Sequence, residues 1–197
     1  YAVWGHLYHY LYVAVGSVYL AFGTLMGGHA SWLDALAAAH CDPAVFEILG
    51  RAISASAGTL TLVATYRLAR YTLRSRLAAV CSCIVLCTVF LHVRDSHFST
   101  SDVLLTLNST AALAALSGPA KGRAWRAGLW TGLALATKLL AATVVATFLT
   151  MFVLERILLS RRGTRPMRVR SLAVFFATAA AVALVLQPFL VLDPMET

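Results

Sequence analysis

The chain has 197 residues, of which 60% are hydrophobic and only 12% charged, and its mean hydropathy is +0.78. That excludes an ordinary water-soluble domain, which sits nearer ~45–50% apolar and ~25% charged, and it leaves lipid as the one inexpensive destination for the excess apolar surface. The formal charge of +8 does not indicate nucleic acid, because the Lys and Arg residues gather in short clusters between apolar stretches rather than over a globular face.

Ala/Leu/Val-rich runs without strict alternation favour helices over a barrel, so the expected fold class is all-α, a polytopic transmembrane helical bundle. The first apolar stretch, 8–26, is long enough to span. Tyr8, His9, Tyr10 and Tyr12 nevertheless load its start with amphipathic rings, which equally suits a helix lying along the membrane surface.

Three basic clusters orient the remaining stretches. Arg67, Arg70, Arg74 and Arg76 form the first; Lys121, Arg123 and Arg126 the second; Arg156, Arg161, Arg162, Arg165, Arg168 and Arg170 the third. Thirteen of the sixteen basic residues are placed this way, and of the eight acidic ones only Glu155 lies beside a cluster. Taking the clusters as cytoplasmic, residues 46–66 run inward, 77–93 outward, 102–118 inward, and 171–191 outward to Pro188–Asp193.

Both ends of 127–155 are then cytoplasmic, so that stretch must cross an even number of times. Its 29 residues allow only about 21 Å per leg, short of the ~30 Å hydrocarbon core. This predicts two short helices meeting near Ala136-Thr137-Lys138; the other solution is one long tilted helix. A lysine at such a place is costly unless it meets an anion or water.

On this topology the polar residues converge on the external face. The turn His92-Val-Arg94-Asp95-Ser96-His97-Phe98-Ser99-Thr100-Ser101-Asp102 is dense in ionisable groups for so apolar a chain. Asp102 opens a helix, where a carboxylate can simply cap free N–H groups, and Arg94 can simply snorkel. Together, Arg94, His97, Asp102, His9 and Lys138 are candidates to line one cavity. Cations there suit a phosphate, and His with carboxylate suits proton transfer or a metal. The cysteines give no disulfide or zinc framework; Cys83 and Cys87 share a helix face, where small buried hydrophobes are the ordinary reading.

The run HVRDSHFSTSDVLLTL, followed by GLWTGLALATKLL, resembles glycosyltransferase family 39, the protein O-mannosyltransferase and aminoarabinose-transferase group of the GT-C superfamily. FEILGRAIS, with Arg51, and QPFLVLDP extend the likeness over nearly the whole chain. The resemblance implies a GT-C-like fold of about a dozen helices. It also implies transfer of a sugar from a polyprenyl-phosphate-linked donor to a protein or glycolipid acceptor at the outer face of a membrane, here the bacterial plasma membrane.

By the same resemblance, 1–45 belongs to the first external loop with its juxtamembrane helix, and 46–197 is a transmembrane core of about six crossings, two of them short. His9 falls where some members ligate a divalent metal ion, Tyr10 where some bind phosphate with a lysine, Asp102 at the second acidic position, and Lys138 at the motif lysine. Arg94, His97, Asp102, Lys138 and Tyr10 are thus the expected substrate-binding residues. No acidic residue precedes Asp34, so the family's catalytic acid is expected upstream of Tyr1. Two other classes remain open: a secondary transporter with a broken helix pair at Lys138, and a non-catalytic membrane subunit.

Overall fold

The computed structural model describes residues 7–41, 44–161 and 169–187, and every regular element among them is helical, with no strand. In chain order these are α1 (Leu7–Leu25), α2 (Trp32–Cys41), α3 (Ala44–Leu73), α4 (Arg76–Thr88), α5 (Phe90–His97), α6 (Ser101–Ser117), α7 (Arg123–Thr137), a 3-10 turn (Leu139–Ala141), α8 (Ala142–Arg161) and α9 (Val169–Leu186). The expected basic residues Arg162, Arg165 and Arg168, and the segment 188–197, lie outside the described residues.

Helices α3 and α9, of 30 and 18 residues, are long and apolar enough to cross a membrane. α4 and α5, bent by 63° at Val89, add a third candidate if the pair is counted as one span. The apolar parts of α6 and α8 are shorter. Large apolar side chains such as Leu77, Phe90 and Val185 stand more than 70% exposed, as a lipid-facing surface requires and as a water-facing one rarely tolerates in bulk.

Turn chemistry places the reversals inside the basic clusters. Between α3 and α4, Arg74 adopts φ 55°, and Ser75 then caps α4 by accepting the Ala78 N–H at 3.3 Å. Between α6 and α7, Pro119 follows the last turn of α6, and Gly122 enters α7 at φ 71°, a conformation that glycine reaches without a Cβ penalty.

The packing forms a row, α4/α5 then α3, α6, α7 and α9. α3 and α6 run parallel: the Ser54 hydroxyl meets the Thr100 backbone, and further along both helices Arg67 and Gly118 line one groove. α6 and α7 run antiparallel, with Asn108 beside Thr137 and Leu116 in one buried cluster with Ala127. α7 and α9 run parallel and very close. A Cβ on Gly128 would lie 2.6 Å from the Phe175 carbonyl oxygen, and one on Gly132 2.7 Å from that of Ala179. This is the small-xxx-small spacing that lets helix backbones approach in lipid.

α7 ends at Thr137. Lys138 is extended (φ −156°, ψ 142°), and the chain then doubles back. Phe148 of α8 stacks on Phe175 at 3.8 Å and shares a cluster with Leu116 and Ala127, near the start of α7 rather than its end. α7 is about 22 Å long and the apolar part of α8 about 20 Å. These directions gather the described residues of the basic clusters at one end of the row and the junctions α5–α6 and α7–α8, with the end of α9, at the other.

Candidate functional site

The end opposite the basic clusters is where polar side chains meet. Asp102 stands in the first turn of α6, yet its carboxylate is turned to the Lys138 ammonium, with which it forms a hydrogen-bonded ion pair. The two halves are unequally sheltered: the Lys138 side chain is 12% exposed and that of Asp102 51%. Lys138 gets there because α7 stops one residue earlier; in a continuous helix it would have stayed on the helix wall.

Buried polar bonds brace this junction. Asn108 Nδ2 donates to Thr137 Oγ1 at 3.4 Å, and the Thr137 hydroxyl donates to the Leu133 carbonyl at 2.8 Å. Gln187, at the end of α9, donates to the Ala136 carbonyl at 3.3 Å. α6, α7 and α9 are thus tied together within two residues of Lys138. An amide on an apolar helix is uncommon enough to be a signal, and Asn108 and Gln187 are the residues that sequence reasoning missed.

Next to it, α1 docks through Tyr8 rather than through the residues expected to bind. The Tyr8 hydroxyl donates to the Gly50 carbonyl at 3.2 Å and pairs with Ser99 Oγ at 2.7 Å. Tyr8 is buried, Tyr12 stacks beside it and meets the Phe46 ring at a tilt, and Tyr10 projects outward at 42% exposure. Burial pushes the Tyr12 phenol above its ordinary pKa, with Tyr8 and Glu47 acting in the same direction. His9 meets the Tyr8 ring edge-on. Among the described residues there is no group of three His, Cys, Asp or Glu able to hold a metal ion.

Arg94 and His97 fall to the α5 side. The Arg94 guanidinium pairs with its neighbour Asp95 at 2.7–2.8 Å and lies 6.0 Å from the Phe90 ring centre. His97 Nδ1 sits 2.7 Å from the Val93 carbonyl oxygen, so that nitrogen carries the proton. His97 lines an open cavity of about 730 Å³ between α3 and α5, together with Arg51, His92 and Ser96. Of the five residues expected to share a cavity, His97 lines this one, whereas Arg94, Asp102, Lys138 and His9 do not. The helical offset between α5 and α6 explains the separation: after His97 the chain is extended at Phe98 and Thr100, which carries Asp102 away from α5 and toward α7.

No protein-family model, curated protein or solved structure matches the chain.

Proposed function

We propose that this chain is the core of a polyprenyl-phosphate-sugar-dependent glycosyltransferase that works at the external face of a membrane. The observation that carries the reading is the Asp102–Lys138 pair, held at a helix break on the end away from the basic clusters. A sheltered ammonium whose counter-ion is half open to the outside is suited to exchange that carboxylate for an incoming lipid phosphate.

In the proposed reaction an acceptor hydroxyl attacks the anomeric carbon and loses its proton to a general base. The bond from that carbon to the phosphate oxygen breaks, and polyprenyl phosphate leaves as an anion beside Lys138. Preorganised positive charge at the developing anion is what accelerates such a step. Asp102 returns to Lys138 when the product departs. The base is a carboxylate other than Asp102, which serves Lys138.

The test is sugar transfer by the intact protein in vesicles supplied with polyprenyl-phosphate sugars. Sugar appearing on acceptor together with free polyprenyl phosphate supports the reading; flux of a solute across the vesicle without transfer would establish the transporter alternative, which the extended backbone at Lys138 favours.

A further inference from the structure

At the opposite end of the row, α3, α6 and α7 enclose a groove of about 220 Å³. Its floor is apolar, including Leu60, Ala111 and Trp130, and the small side chains of α6 are what leave it open. At the basic end it closes with Arg67, Tyr71 and Arg126, and no acidic residue among those described lines it. Leu60 and Arg67 are seven residues apart on α3, about 10 Å along the axis, so the groove grades from hydrocarbon-like to cationic over that length. Its volume is below the ~300–1,000 Å³ typical of compact small-molecule sites, and it suits one segment of a chain.

Among the described residues, no carboxylate pairs with either arginine. The Arg126 guanidinium is fixed by the backbone carbonyls of Gly122, Pro119 and Lys121 at 2.9–3.2 Å. Those bonds orient it and add no counter-charge. Arg67 is exposed and has no ion-pair partner among the described residues. A fixed guanidinium on α7, a second one across the groove on α3 and an aromatic ring at the mouth match a phosphate at the interface.

We propose that this groove seats an anionic phospholipid of the leaflet on the basic side, one acyl chain lying toward Leu60 and the phosphate meeting Arg67 and Arg126. The proposal is independent of the glycosyltransferase reading, since it concerns the other end of the molecule.

It is tested on the intact protein in neutral-lipid nanodiscs by native mass spectrometry and thermal unfolding. Phosphatidylglycerol, phosphatidylcholine of the same chain length and inorganic phosphate serve as separate probes. Phosphatidylglycerol is expected to bind and raise the unfolding temperature, with phosphatidylcholine and phosphate having little effect. Arg67→Gln should weaken phosphatidylglycerol binding about ten-fold or more with the fold retained, because the residue is exposed; Ala111→Phe should block the chain. Equal binding of the two lipids, protection by phosphate alone, or undiminished binding to Arg67→Gln would each overturn it.

Discussion

Lys138, the extended residue that follows α7, is ion-paired with Asp102 in the first turn of α6, 36 residues away in sequence. The pair fastens two helices at the point where the chain turns back. Because the ammonium is sheltered and the carboxylate half open, the two single substitutions should differ. Asp102→Asn leaves a sheltered cation without its carboxylate; Lys138→Met leaves a carboxylate that water still reaches. Asp102→Asn is expected to be the more destabilising, with a coupling of about 1–3 kcal/mol, between the values for exposed and buried pairs. A double-mutant cycle on thermal unfolding in detergent checks this; equal single effects with no coupling would exclude a structural pair.

The α7–α9 contact should be intolerant of volume. A side chain at Gly132 meets the Ala179 carbonyl oxygen and the Val182 Cβ, both at 2.7 Å, and backbone cannot step aside cheaply. Gly132→Val should cost about 1–3 kcal/mol by overpacking. Gly23→Ala, whose Cβ meets only His29 at 3.6 Å, should be neutral or slightly stabilising. Unfolding temperatures of the two variants decide the matter.

Tyr8 should govern how firmly α1 sits. Removing its hydroxyl leaves Ser99 and the Gly50 carbonyl short of a partner, at a cost of about 1–2 kcal/mol. Because Tyr8 joins α1 to α3 and to the α5–α6 turn, Tyr8→Phe should speed hydrogen exchange in α1 and leave α6 and α7 protected. Uniform acceleration across the bundle would show that Tyr8 is instead part of a global core.

The helical class, the grouping of the described basic-cluster residues at one end and the helix break at Lys138 were legible in the sequence, because each derives from segment length and charge. The partners were not. Arg94 and Asp102 are close in sequence, yet Arg94 pairs with Asp95 and Asp102 with a lysine on another helix. Which side chains meet depends on how each helix is rotated about its axis, and in an apolar chain the polar pattern scarcely constrains that rotation. The same holds for Tyr8 and Tyr10: two residues apart, they point to opposite sides of α1, one buried and one exposed. The bend at Val89 has no proline or glycine to announce it, and the bracing by Asn108 and Gln187 emerges only once α6, α7 and α9 are packed.

The most direct test of the proposed chemistry compares turnover of a polyprenyl-phosphate sugar by the intact wild-type protein and by Lys138→Gln, with Arg76→Gln at the opposite end as control. Turnover by Lys138→Gln is expected to fall at least about 100-fold, the loss typical when one preorganised group facing a developing anion is removed, while the control keeps its activity and both variants stay folded. Wild-type turnover by a folded Lys138→Gln protein would contradict a role for Lys138 at the leaving phosphate.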